Sequence, residues 1–126
     1  MSWSNPGLVK NWIAEGAITK YRIVKLGTAD GRIAQAGAST DAIVGVAAEL
    51  DAADGERIDV IHSGIAEVEF GGAVTRGALV TADAQGRAIT AAPVAGTNAR
   101  IVGTAIDSAA AGDIAPVLVV PSQIQG

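Results

Sequence analysis

The 126-residue chain has no cysteine, one histidine and only four aromatic side chains, namely two tryptophans, one tyrosine and one phenylalanine. Without cysteine it forms no disulfide and carries no thiol chemistry, which fits a protein made in a reducing cytoplasm. The lack of cysteine and of a second histidine also removes the usual ligands of zinc. We therefore expect neither a metal site nor a cofactor.

Basic clusters and long apolar runs are missing as well. Nine Lys and Arg residues stand against thirteen Asp and Glu residues, so the net charge is −4. Binding to DNA or RNA needs clustered cations, so we expect no direct contact with nucleic acid. The run "PVLVV" is too short to cross a bilayer, and "MSWSNPGLVKNWIAEGA" has no basic segment leading into an apolar one. We expect no membrane association and no secretory signal.

The residues that could carry chemistry do not form a recognisable catalytic set. His62 lies in "DVIHSG" close to Asp59 and Ser63, and three residues so close on one strand cannot form a nucleophile–base relay alone. The acidic residues around Asp54 lack calcium-loop spacing, and "GGAVTRG" lacks the spacing and lysine of a phosphate-binding loop. We predict that the protein is not an enzyme, and a small hydrolase using His62 is the weakest hypothesis.

What the chain does contain is an internal repeat. "EGAITKYRIV" from Glu15 corresponds to "GGAVTRGALV" from Gly71, "ADGR" to "AQGR", and "IVGVAAE" from Ile43 to "IVGTAID" from Ile101. The offsets drift between 55 and 58 residues, as small insertions in loops produce. We predict two similar units over 15–64 and 71–122, within a β domain spanning 15–126.

Each copy has the pattern of an all-β unit. "AITKYRIVKL" and "AVTRGALVTA" are rich in β-forming residues, and turns containing Gly31 and Gly86 follow them. "IVGVAAE" and "IVGTAID" read as buried strands whose glycine marks a bulge or a close backbone approach. "IAEVEF" alternates as a half-buried strand does. Pro116 places the last strand at a sheet edge or lies at its start, and a helical turn near residues 40–54 is the alternative to a strand there.

The first fourteen residues precede the repeat and contain both tryptophans. We predict an extended N-terminal arm over 1–14, flexible over Met1–Pro6 because nothing local holds it. Tryptophan is frequent at interfaces because it buries a large area at small entropic cost. The candidate binding residues are Trp3, Pro6, Leu8, Val9 and Trp12; alternatively, the two tryptophans pack on the body of their own subunit.

The two segments 25–61 and 79–120 resemble the unit of small capsid decoration (head cement) proteins of tailed bacteriophages. The matching positions are the turn glycines Gly31 and Gly86, the "IVG" strands at Ile43 and Ile101, and Gly55 and Gly112 in the next turns. The resemblance implies a compact β-barrel or β-tulip fold and a homo-oligomer, with a trimer favoured over a dimer or monomer. It further implies binding of the major capsid protein on the outer surface of the virion, and stabilisation of the head against the pressure of packaged DNA.

The alternative hypothesis is a non-catalytic surface- or carbohydrate-binding module of a phage or bacterial particle. Carbohydrate sites usually present exposed aromatic rings, and here only Tyr21, Phe70 and the two tryptophans are available. A glycan array with strong, tryptophan-dependent binding distinguishes this hypothesis from a decoration protein.

Overall fold

The computed structural model describes residues 5–126 and confirms the all-β prediction. This part of the chain contains no helix, and so none long and apolar enough to cross a membrane. Its strands are β1 (Asn5–Pro6), β2 (Val9–Ala14), β3 (Ile23–Leu26), β4 (Arg32–Gln35), β5 (Ile43–Ala47), β6 (Arg57–Ile61), β7 (Gly64–Glu69), β8 (Leu79–Ala82), β9 (Ala88–Thr90), β10 (Asn98–Ala105) and β11 (Ile114–Gln125).

Strands β2 to β6 form a closed five-stranded barrel in the order β2-β4-β3-β5-β6. Neighbours are antiparallel except at the closure, where β2 runs parallel to β4 through Ile13–Arg32 and Ala14–Ile33. We call these strands the first unit. The turn at Gly31 that connects β3 to β4 has a positive φ of 76°, which glycine adopts without a Cβ clash.

Strands β7 to β11 form the second unit and pair in the corresponding order. Where the closed barrel reads β2-β6-β5-β3-β4, the second unit reads β7-β11-β10-β8-β9. They make a sheet in the order β7-β11-β10-β8-β9, with β1 added outside β7. At the position where the pair Ala14–Ile33 closes the barrel of the first unit, the second unit has the isolated parallel bridge Phe70–Ala88. The second unit is therefore a more open version of the first.

The glycines of the two "IVG" strands are needed for close strand packing. A Cβ at Gly45 would collide with the carbonyl oxygen of Ile61, and one at Gly103 with that of Leu118. The register shifts beside both positions, between Val24 and Lys25 and between Ile101 and Gly103. Each glycine thus combines a close approach with a bulge, as expected for a strand glycine.

Two hydrophobic clusters fill the part of the molecule that the structure describes. The smaller lies inside the barrel and includes Ile18, Val24, Ile33, Ile58 and Val60. The larger contains the inward side chains of the second unit together with Ile23, Ile43, Val46 and Ile61, which lie on the outside of the barrel. The first unit therefore closes its own core and also covers the open core of the second.

The N-terminal segment differs from the predicted extended arm. Residues Val9–Ala14 are a barrel strand that pairs with β6 and β4, and Asn5–Pro6 pair with β7. Without β2 the backbone groups of β6 would lack partners on that side, and such groups are costly to leave unpaired. The expected flexibility of Met1–Pro6 does not hold for Asn5 and Pro6, and residues 1–4 lie outside the described part.

Two smaller expectations are settled by the strand pairing. Residues 43–47 form a strand and not a helical turn. Strand β11 is not an edge strand, because it lies between β7 and β10. Pro116 is tolerated there because the β10–β11 pairing begins only at Ala105–Val117, so this proline precedes the stretch in which both sides of β11 are paired.

Candidate functional site

The N-terminal strands present apolar side chains on a firmly held backbone. The N–H of Leu8 donates to Ser63 Oγ at 2.8 Å, and its carbonyl accepts from the N–H of His62 at 2.8 Å. The Leu8 side chain is nevertheless 59% exposed, and Val9 is 43% exposed. Pro6 is also exposed beside Gly64 of β7. Three of the five candidate binding residues are therefore exposed and close together in sequence, and Trp3 lies outside the described residues.

Trp12, in contrast, is half-buried against its own subunit. Its Nε1–H donates to His62 Nε2 at 2.9 Å, and the two ring centroids lie 5.7 Å apart in an edge-on arrangement. The Lys10 ammonium lies 4.3 Å from the Trp12 ring centroid, within cation–π distance. Trp12 thus corresponds to the alternative in which a tryptophan packs on the body of the same chain.

His62 has a partner at each ring nitrogen. Nε2 accepts from Trp12, so Nδ1 carries the proton and donates to the carbonyl of Val44 at 2.8 Å. Ser63 Oγ is engaged with the Leu8 N–H, and Asp59 Oδ1 accepts from Asn11 Nδ2 at 3.0 Å. These bonds hold β2 against β6 and its C-terminal extension, and the three residues do not form a relay. Within residues 5–126, no group of three or more potential ligands is placed to hold a metal ion.

A groove of about 840 Å³ adjoins the exposed N-terminal strands. Its lining includes residues of β6, Tyr21, and Glu67 of β7. Pro6, Val9, Leu50, Ile58 and Ile61 contribute its apolar lining. Five carboxylates, those of Glu49, Asp51, Glu56, Asp59 and Glu67, line it against one cation, Arg57. The groove is therefore acidic with an apolar floor.

Tyr21 occupies an unusual backbone conformation beside this groove. Among residues 5–126 it is the one non-glycine residue with positive φ, at 64°, and left-handed backbone costs about 1–2 kcal/mol for an L-residue with a Cβ. The corresponding residue of the second unit is Gly77, with φ 93°. Burial raises the pKa of the Tyr21 phenol, and the nearby carboxylates of Glu49 and Glu67 raise it further.

Comparison with known proteins decides the family. The model of the phage cement protein family matches residues 5–120. The chain belongs to the phage cement protein family. Its place is therefore in the phage capsid, as a structural decoration protein of the shell, which confirms the resemblance drawn from the repeated strands.

A solved structure is similar to nearly the whole cement protein. It is described as the N base of head fiber gp8.5 in bacteriophage phi29, and it is 18% identical in sequence with a TM-score of 0.68. The alignment covers 94% of this chain and 98% of that one. At this identity the likeness establishes the shared fold. No curated protein matches the cement protein in sequence.

The groove is the feature that sequence reasoning missed. Its lining comes from β2, β5, β6, β7 and the turns near Tyr21 and Leu50, which are far apart in the chain. One signal pointed to it: in the repeat Tyr21 stands where the other copy has glycine. A large side chain at a position suited to glycine indicates that the side chain is retained despite its backbone cost.

Proposed function

We propose that this cement protein binds the major capsid protein on the outer surface of the phage head and stabilises the shell against the pressure of packaged DNA. The observation that supports this most is the exposure of Leu8 and Val9 on ordered N-terminal strands. We further propose that it acts as a homo-oligomer, with a trimer expected from the family.

The sheet edge beside these residues suits strand addition. Among residues 5–126, strand β1 is the outermost strand of its sheet and pairs with β7 on one side only. An open edge can accept a strand from a partner, with backbone hydrogen bonds for affinity and side-chain contacts for specificity. Leu8 and Val9 follow β1 after Gly7 and supply exposed apolar side chains near this edge.

Order in the free protein favours tight docking. Fixing a residue's backbone costs about 1–2 kcal/mol, and residues 9–14 are already fixed by their pairing with β6. Binding through this surface thus avoids most of the ordering cost of a flexible arm. In this proposal Pro6, Leu8 and Val9 contact the shell, and Trp12 supports β2 from within.

Cosedimentation with heads assembled without the protein tests the proposal. We expect the unmodified protein to pellet with the heads and Leu8→Asp to bind at least tenfold more weakly, because a charge replaces an apolar contact (about 1.4 kcal/mol or more). The Leu8 side chain is exposed and its hydrogen bonds use backbone atoms, so the variant should fold. Val94→Asp changes an equally accessible apolar residue and should bind normally, since Val94 is 71% exposed and lies outside the N-terminal surface.

Two results count against the proposal in different ways. If the unmodified protein does not pellet with the heads, binding to the capsid shell is wrong. If it pellets and a folded Leu8→Asp variant binds equally well, the shell is bound through another surface. Release of DNA from heated heads, with and without the protein, then measures stabilisation of the shell.

A further inference from the structure

An apolar row crosses the outer face of the second unit. Ile65 on β7 lies opposite Leu118 on β11, Leu118 opposite Thr104 on β10, and Thr104 opposite Leu79 on β8. Directly opposed residues of neighbouring strands point to the same face of a sheet. Leu118 is 41% exposed and Leu79 is 37% exposed. The chain therefore leaves Leu79 and Leu118, with the uncharged Thr104 between them, in contact with solvent.

The row continues along β11. Ile114 and Val120 lie on the same face as Leu118 by strand alternation, and both are about half exposed. With strands about 4.8 Å apart and a rise of about 3.4 Å per residue, the patch is about 14 Å wide and about 20 Å long. A patch of this size is comparable to the largest apolar patch of an ordinary monomer, which is often functional.

The first unit has the corresponding row, and there three of its four residues are covered, while Val9 at its β2 end stays 43% exposed. Val9 lies opposite Ile61, Ile61 opposite Val46, and Val46 opposite Ile23, at the same positions of the repeated topology. Ile23 and Val46 are fully buried, and Ile61 nearly so, in one cluster with the inward side chains of the second unit. At this place in the repeated topology, the outer row of the first unit is thus packed against the inner face of the second unit.

Charge decides which partner fits the uncovered row. Ile65, Thr104, Leu79 and Leu118 carry no charge, so a neighbouring copy can pack on this row without opposing a charge there. On the same face β7 also carries Glu67 and Glu69, and Glu69 is paired with Arg22 at 3.3 Å. The acidic groove is the opposite case, because two copies of a surface with five carboxylates and one cation would repel each other.

We propose that the row Ile65–Leu118–Thr104–Leu79, extended by Ile114 and Val120, is the surface through which a second copy of this chain binds. This inference deepens the proposed self-association and does not depend on capsid binding. The row forms the apolar centre of the interface, since stable interfaces bury about 800 Å² on each partner and surround such a centre with polar contacts.

The mass of the protein in solution, measured by light scattering during size exclusion, tests the proposal. The unmodified chain should elute as an oligomer, and the double variant Leu79→Lys/Leu118→Lys as a monomer of 12.5 kDa. Circular dichroism should show the same strand content for both. Leu50→Lys is the matched control: this leucine is 79% exposed and lies away from the row, so its substitution should leave the oligomer intact.

The outcomes separate this proposal from capsid binding. An unmodified chain of 12.5 kDa at the highest soluble concentration overturns it, as does a folded double variant that stays oligomeric. If the unmodified chain is monomeric and the double variant loses binding to heads, the shell and not a second copy covers the row. Leu8→Asp should weaken head binding and leave the mass unchanged, so either proposal can fail while the other stands.

Discussion

The two units of this cement protein share a strand order and differ in what they do with their surfaces. At corresponding positions on the outer face, the first unit has Arg57, Asp59 and Ile61 on β6, and the second has Ile114, Pro116 and Leu118 on β11. The first therefore borders an acidic groove, while the second presents an apolar row. A duplicated scaffold allows this division because outward residues can change without disturbing the strand pairing.

The interiors of the two units differ in a compensated way. The first unit has Ala14 with Ile33 and Ile58, and the second has Phe70 with Ala88 and Ala115 at the corresponding positions. The second unit thus has a larger residue than the first at one position, phenylalanine for alanine, and smaller residues at two positions, alanine for isoleucine. Close packing of interiors explains the exchange, because a core tolerates redistribution of volume better than its loss.

Removing Phe70 should produce the largest effect. Phe70 is fully buried, and Phe70→Ala should lower the free energy of unfolding by about 3–5 kcal/mol, because the surroundings cannot collapse into the space left behind. Denaturant unfolding followed by circular dichroism measures the change. A loss this large is a substantial part of the roughly 5–15 kcal/mol typical of a small domain.

A second substitution separates compensation from simple loss of volume. Ala88→Ile alone should destabilise by about 1–3 kcal/mol through overpacking. Phe70→Ala/Ala88→Ile rebuilds the pattern of the first unit, Ala14 with Ile33, and should be destabilised by clearly less than the sum of the single changes. Additive effects would show that the two cores are filled independently and that their volumes do not compensate.

The strands of the repeat were predictable because β-forming residues and turn glycines recur in both copies. The run "AITKYRIVKL" nevertheless becomes a strand only from Ile23, because Tyr21 takes left-handed backbone and interrupts it. In the second copy Gly77 does the same, and β8 begins at Leu79. The sequence shows tyrosine opposite glycine at this position, but only the backbone reveals that both residues have positive φ.

The N-terminal strand was missed for a related reason. Strand β2 pairs with β6 as β7 pairs with β11, so it occupies the same place in the first unit as β7 in the second. The corresponding residues are chemically unlike: Lys10, Trp12 and Ala14 stand against Ala66, Val68 and Phe70. The sequence similarity between the two copies therefore begins only at Glu15, whereas the shared strand order already includes β2, which precedes it. The exposed Leu8 and Val9 could be named from sequence; the adjoining groove could not, because distant strands build it.

Substitutions at Tyr21 and Gly77 should change the free energy of unfolding by a smaller amount. Tyr21→Gly and Tyr21→Ala both remove the ring, but only alanine keeps the left-handed strain, so the glycine variant should be more stable than the alanine variant by about 1 kcal/mol. Gly77→Ala should lower the free energy of unfolding by about 1 kcal/mol as well. A Cβ there meets no atom within 4 Å, so the cost comes from the backbone conformation. Thermal unfolding of the three variants measures the differences. Equal stability of the two Tyr21 variants would mean that the backbone relaxes out of the left-handed region.

The smallest effect concerns ionisation of Tyr21. As the single tyrosine, it gives an unambiguous absorbance change near 295 nm on deprotonation, and its pKa should lie above the ordinary value of 10.0. Burial is the first cause of this higher pKa, and the Glu49 carboxylate adds to it, so Glu49→Gln should lower the pKa while leaving it above the ordinary value. Because the unfolded chain releases this proton at lower pH than the folded chain, Tyr21 contributes a loss of stability that begins as pH rises past 10 and is complete above the folded-state pKa.

Glu15→Gln is the matched control, since that carboxylate binds Thr28 and lies outside the groove lining. If both glutamine variants shift the Tyr21 pKa equally, the effect reflects net charge and not the local field of the groove. The acidic groove would then not distinguish the first unit electrostatically from the second.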